Sequence, residues 1–349
     1  MKPVLLIAQT GLLGGAERVL LDWGGALERP VLLACPRGPL ADAAAGAGFA
    51  VLALPERPLQ RRGRSGRALL ELAGLAGDVA RLARRHRPAV LVASGRRPIL
   101  AVAAVPLAGA KLVALHHDLA PGRSIALALR AGSARADAIV GTSRVVGRDA
   151  GRRTEVVHPG VELDRWKVSE PASGTPRALF LGALAPVKRP DLALEIAARV
   201  PGLALDLAGA PLPGDPPAFV AALHARANRP DLKGRVRFLG AIEDPLPALT
   251  ESHCLLHCAE REAFGLALVE ALAAGRPVAA PAAGGPLEII TSACGRLYVP
   301  GDSRSGAAAL QELLAGACTP AAARARAEAF DGAAAARRFA DVVERVIAS

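Results

Sequence analysis

The sequence predicts an α/β protein made of two successive parallel-sheet units. Three observations carry that expectation. Short apolar runs alternate with helical patterns along the chain, and glycines cluster where several runs end. A polar stretch, Lys167 to Pro176 (KVSEPASGTP), then interrupts the alternation before it restarts. At 349 residues the chain exceeds one ordinary core, so two domains of roughly 150–180 residues are the default. The 52% hydrophobic content excludes a disordered chain. The low aromatic content, with Ala, Gly, Leu and Arg dominant, reads as biased coding and blurs helix against strand.

The elements follow in order. Val4 to Ala8 is the first strand, Gly11, Gly14 and Gly15 form a loop, and Ala16 to Leu27 is a helix. Further strands fall at 31–34, 50–54, 89–93, 111–115, 138–141 and 155–158, with the clearest helical pattern at 67–85. Beyond the polar stretch, strands are expected at 177–181, 204–208, 236–239, 254–258 and 278–280. Helices are expected at 190–199, 219–227 and 264–274. The domains are thus 1–168 and 175–330. A last amphipathic helix, 333–349, sets Phe339, Val342, Val343, Val346 and Ile347 on one side and is expected to pack back on the first domain. Ligands of open parallel sheets bind at the carboxyl ends of strands, so two facing sheets would enclose a cleft.

A formal charge of +11 favours anionic partners: nucleotides, phosphorylated sugars or an acidic membrane surface. Arg57 to Arg67 (RPLQRRGRSGR) concentrates part of it, either as a solvated loop or as a patch for peripheral contact with anionic lipid. No aromatics interleave there, which argues against nucleic acid. The five cysteines show no disulfide-framework spacing and fit a reducing compartment. The first apolar run is too short for a signal peptide, and no run is long enough to span a bilayer. A cytoplasmic protein is expected.

The most informative string is Glu262-Ala263-Phe264-Gly265-Leu266 through Glu270, then Ala-Leu-Ala-Ala-Gly275-Arg-Pro277. Phe264-Gly265 can open a helix, leaving Glu262 in the loop before it and Glu270 in its first turns. Exposed amides at that helix start can hold an anion. The pattern suits a ligand with both phosphate and hydroxyls.

Weaker signals surround it. Gly14 and Gly15 follow a strand and precede a helix, as a phosphate loop or a plain turn. Because the loop is not G-x-G-x-x-G, a nicotinamide site is disfavoured. Lys188 and Arg189 follow the first strand of the second half, where fixed positive charge can neutralise a leaving diphosphate. His116-His117-Asp118 ends a strand, as sugar-binding or reaction-steadying groups or as hydrogen-bonded loop histidines. Gly284, Gly285 and Glu288 after the strand at 278–280 read as a ligand loop or a helix start. His253-Cys254-Leu-Leu-His257-Cys258 does not read as a zinc site, since on a strand the cysteines and histidines take opposite faces. No Walker loop, G-x-S-x-G or H-E-x-x-H string is present.

Taken in order, these strings resemble the retaining, nucleotide-sugar-dependent group-1 glycosyltransferases of two Rossmann-like domains, the GT-B architecture. Gly14-Gly15-Ala-Glu17-Arg, Val157-His-Pro159-Gly160, Leu179-Phe-Leu-Gly182 to Lys188, Glu262 to Pro277 and Gly284-Gly285-Pro-Leu-Glu288 carry the likeness. The resemblance implies that Glu270 binds the donor ribose and Glu262 the donor sugar. It implies that amides near Ala263, Phe264, Gly265 and Leu266 hold diphosphate and sugar, that Lys188 takes the diphosphate charge, and that the Gly14-Gly15 loop closes over the phosphates. His117, rather than His116, sits near the transferred sugar on this reading. The expected donor is a nucleotide-diphosphate sugar, the acceptor an unidentified hydroxyl compound, with no cofactor and no metal. One position departs from the family pattern: Ala183 stands where an arginine usually partners the lysine. Arg189 or a residue of the first domain is the candidate substitute. The alternative function is a catalytically degenerate sugar-nucleotide-binding or partner-binding module of the same fold.

Overall fold

The computed structural model describes residues 1–57, 65–151, 153–170 and 174–349. It divides into two compact units, residues 1–160 with 332–349, and residues 161–331. The division falls ahead of the expected boundary at 168, and the second unit begins before 175. The physical reason is a buried indole. Trp166 is buried in the second unit's core, and the Val161 amide donates to the Phe330 carbonyl at 3.0 Å. The fully buried Arg276 then donates to the Ser169 carbonyl at 2.8 Å and to its Oγ at 2.6 Å. The polar composition of this stretch conceals these contacts. Residues 171–173 of the expected linker lie outside the described residues.

The first unit holds seven parallel strands: β1 (Val4–Ile7), β2 (Val31–Cys35), β3 (Ala50–Ala53), β4 (Val90–Ser94), β5 (Lys111–His116), β6 (Ala138–Gly141) and β7 (Thr154–Val156). Their spatial order is β3-β2-β1-β4-β5-β6-β7. The second holds six: β8 (Arg177–Leu181), β9 (Ala204–Ala208), β10 (Val236–Gly240), β11 (Cys254–Leu256), β12 (Val278–Pro281) and β13 (Gly295–Tyr298), in the order β10-β9-β8-β11-β12-β13. In both sheets the strand order therefore reverses beside the first strand, at β1/β4 and at β8/β11. Such a switch point opens a crevice at the carboxyl ends of the strands.

Strands covered on both faces read as unbroken apolar runs, which is why β1, β4 and β12 are wholly buried. Asp206 is the exception in β9. It is fully buried and held by Arg177 at 2.7 Å and Arg237 at 2.6 Å from the flanking strands. The strand expected to reach Cys258 ends at Leu256, and β13 was not anticipated. The last helix, Gly332–Ala348, packs on the first unit, where Phe339 stacks on Trp23 with ring centroids 4.8 Å apart. Arg29 grips Glu344 with two hydrogen bonds, 2.7 and 2.8 Å, across the same seam. Among the described residues, no helix is long and apolar enough to cross a membrane.

Candidate functional site

In the second unit, adjacent strands β8, β11 and β12 end in the three loops that carry the expected donor residues. The β8 loop closes in a 3₁₀ turn, Pro186–Lys188. The β11 loop runs through His257 and Glu262 to a helix at Leu266–Ala273. The β12 loop carries Gly284 and Gly285. Because β8 and β11 flank the switch point, Lys188 Nζ meets Glu262 Oε2 at 2.6 Å across 74 residues of sequence. Glu262 is buried. Burial, the largest influence, would raise its pKa, but Lys188 together with His257 and the Ala263 amide outweighs it and holds the carboxyl below the usual carboxylate range.

His257 is a site residue that the strand-face argument passed over. Its Nε2 lies 3.4 Å from Glu262 Oε2, is buried, and makes no hydrogen bond. Burial pushes the imidazole down to about 4, with Lys188 adding to the fall against the pull of Glu262. The ring is thus neutral near pH 7, and Lys188 is the cation that Glu262 answers to. Tyr298 in β13 donates its hydroxyl to the His257 carbonyl at 2.7 Å and fixes this turn. Position His257 at the end of a strand was the available signal. Cys254 and Cys258 instead pack in the core, each thiol pushed up to about 12 by burial.

The helix opens two residues later than expected, at Leu266, because Gly265 is its left-handed cap at φ +104°. A Cβ there would stand 2.8 Å from Leu268 Cδ1. Phe264 is buried against Phe330, edge-on at 5.7 Å, while Ala263 and Leu266 are half-buried. Glu270 is half-buried in the helix's second turn. Gly284 and Gly285 lie against the backbone of 262–264. The Gly285 amide donates to the Glu262 carbonyl at 2.9 Å, and a Cβ on Gly285 would stand 2.1 Å from the Phe264 carbonyl oxygen. This close approach alone requires glycine. Glu288 is half-buried in a short helix, Pro286–Ile289, and its carbonyl accepts from Arg326 at 2.6 Å. Arg189, the candidate substitute for the missing arginine, is engaged elsewhere. It pairs with Glu260 at 2.6 Å and with Asp191 at 3.1 Å.

In the first unit the two histidines part ways. His116 ends β5 and is buried, its Nε2 2.8 Å from Ser133 Oγ. Burial and the neighbouring His117 push its pKa down to about 4. His117 turns to the switch point. Its Nε2 sits where a Cβ on Gly95, just past β4, would stand 2.8 Å away, and Gly95 has φ +86°. Its Nδ1 is buried without a hydrogen bond, 3.7 Å from Asp118, which Arg96 approaches at 3.5 Å. Burial opposes protonation of His117, but Asp118 and Glu17 outweigh it and raise its pKa. Glu17 caps its own helix, its carboxylate accepting from the Gly14 amide at 3.1 Å. Gly14 thus spends its amide on that cap, while a Cβ at Gly15 would meet nothing. In the basic stretch, residues 58–64 lie outside the described residues. Arg57 and Arg67 form ion pairs with Asp78 and Glu71, at 2.6 and 3.4 Å.

Two repeated sheets with this strand order, each with polar side chains at its switch point, define a protein of the two-domain GT-B class. The profile of Glycosyl transferases group 1 matches residues 164–330, and that of Glycosyltransferase Family 4 matches residues 13–165. The chain belongs to the group-1 glycosyltransferases. It is 36% identical over 193 residues to the D-inositol 3-phosphate glycosyltransferase of Mycobacterium avium, a stretch covering 52% of this chain and 45% of that protein. The match thus spans under half the relative's length. The crystal structure of Anabaena HepE in complex with UDP-glucose is similar over 98% of this chain and 99% of that one, with TM-score 0.85 and 24% identity. WaaG, a glycosyltransferase involved in lipopolysaccharide biosynthesis, is similar over 97% of this chain and 99% of its own, with TM-score 0.72 and 17% identity.

Proposed function

We propose that this protein moves a sugar from a nucleotide-diphosphate sugar to a hydroxyl acceptor with retention of configuration. The observation that carries the reading is the Lys188–Glu262 pair at the second switch point, inside the stretch matched by the group-1 profile. HepE in complex with UDP-glucose supports a uridine nucleotide as the first donor to test. Glu270 takes the ribose hydroxyls and Glu262 the sugar hydroxyls. Lys188 and the amides at the start of the helix Leu266–Ala273 take the diphosphate. In the free protein Lys188 and Glu262 neutralise each other. A diphosphate draws Lys188 toward the leaving group, where negative charge grows in the transition state, and leaves Glu262 to accept from a sugar hydroxyl. This arrangement requires no metal or other cofactor. His117 is the first unit's contribution to the transfer step.

The test is nucleotide-sugar hydrolysis and transfer by the purified protein, with and without chelator, beside calorimetric titration of the nucleotides. Glu270→Ala is expected to weaken donor binding by about 1–3 kcal/mol through a lost hydrogen-bonding carboxylate. Wild-type affinity in that variant, or abolition of turnover by chelator, contradicts the assignment. Binding without any turnover marks the degenerate module that Ala183 would suit.

A further inference from the structure

The first unit has a cavity of about 480 Å³ that none of the donor chemistry uses. This lies within the roughly 300–1,000 Å³ of small-molecule sites. It opens at the carboxyl ends of β1 to β4, where Gln9, Pro36, Leu54 and Arg97 follow their strands, and is walled by the helix Ser65–His86 through Leu69, Leu72 and Leu75. Its rim continues as exposed apolar surface at Leu69 (66%) and Ile125 (37%). Each charged group of the wall has an ion-pair partner. Arg57 is paired with Asp78 at 2.6 Å, and Arg97 lies 3.9 Å from Glu71 and donates to the Arg57 carbonyl at 3.1 Å. Among the described residues one polar atom is left over: Gln9 Oε1 is buried and accepts no hydrogen bond. An orphaned amide oxygen costs free energy unless a donor reaches it.

The leucine wall selects an apolar occupant, and the Gln9 oxygen calls for a hydroxyl donor. We infer that this cavity binds the apolar body of a neutral alcohol or glycoside, so that the acceptor is an amphiphile rather than a fully polar sugar. The identification of the occupant as acceptor rests on the transferase reading above; the apolar site does not.

The test uses methyl, hexyl and octyl β-D-glucosides below their micelle concentrations, titrated into the full-length protein, with UDP titrated in parallel. Each buried methylene strengthens binding by roughly fourfold, so octyl is expected to exceed methyl glucoside by at least roughly tenfold even if only part of the chain is held. Ala68→Trp, which fills the cavity from an exposed helix position, and Leu69→Asp, at an equally exposed one, are expected to remove that preference while UDP affinity stays unchanged. Equal affinity for all three glucosides overturns the inference, as does a preference that survives both variants. A preference that follows self-association of the protein overturns it too. Loss of UDP binding with the glucoside preference intact defeats the transferase reading alone.

Discussion

The two switch points share a topology and differ in chemistry. At β8/β11 the crevice is charged, with Lys188 and Glu262 paired at 2.6 Å and a neutral His257 beside them. At β1/β4, His117 Nδ1 and the Gln9 oxygen are buried without a hydrogen bond among the described residues, and a cavity walled mainly by leucines, with Arg57, Arg97 and Glu71 in ion pairs, occupies the strand ends. The same fold thus presents two surfaces, one proposed for a diphosphate and one for a greasy hydroxyl compound. The difference shows that the strand order places a site, while loop residues decide what enters it.

Breaking the charged side has the largest expected effect. Lys188→Ala strands Glu262 without its cation. The second unit is expected to lose about 2 kcal/mol by denaturant unfolding, less than the roughly 3–5 kcal/mol of a fully buried pair because Lys188 is a third exposed. Turnover is expected to fall on the order of a hundredfold, since charge on the leaving group goes unanswered. The double variant Lys188→Ala/Glu262→Gln is expected to recover stability without activity. Unchanged stability and kinetics in Lys188→Ala would erase the contrast between the crevices.

A smaller effect is expected on the other side from Gly95→Ala. The methyl group must enter space held by His117 Nε2 on a backbone at φ +86°, a cost of about 1–2 kcal/mol. The displaced imidazole leaves Asp118, so its pKa is expected to fall toward the ordinary histidine value in an NMR titration. Nucleotide affinity should stay at the wild-type level. Weakened UDP binding would mean that the two switch points are not separable in this way.

A third effect vanishes at neutral pH. His116 and His257 each have a folded pKa of about 4 against an ordinary 6.5. The unfolded chain binds these protons first, so stability is complete above about pH 6.5 and declines as pH falls toward 4. Glu262, also depressed, adds a loss that begins only below the usual carboxylate range of about 4.3. Melting temperature against pH is expected to flatten between 6.5 and 4 in His116→Gln for the first unit and His257→Gln for the second. A wild-type slope in either variant would show that the histidine in question is not buried neutral.

Much of this was legible in the residues. Twelve of the thirteen described strands begin within a residue of where apolar runs placed them, because a strand buried on both faces carries few polar side chains. Lys188 and Glu262 could be named because charge and glycine interrupt apolar stretches in their loops, and Glu270 because it follows Glu262 in the first turns of the next helix. The Ala-Leu background gives helices such as Pro39–Gly46 and Arg123–Ser133 no readable bounds, and GRLY gives no warning of β13.

The amino-acid order by itself determined the repeated alternation, the two cores and the kinds of group available for chemistry, since these depend on polarity and spacing along the chain. Tertiary structure alone decided which of them meet. Lys188 reaches Glu262 because β11 lies beside β8 rather than beside β10. His116 turns to Ser133 while His117 turns to Gly95, because successive side chains at a strand's end point to opposite sides. Those contacts join residues far apart in sequence, and no local pattern encodes a distance.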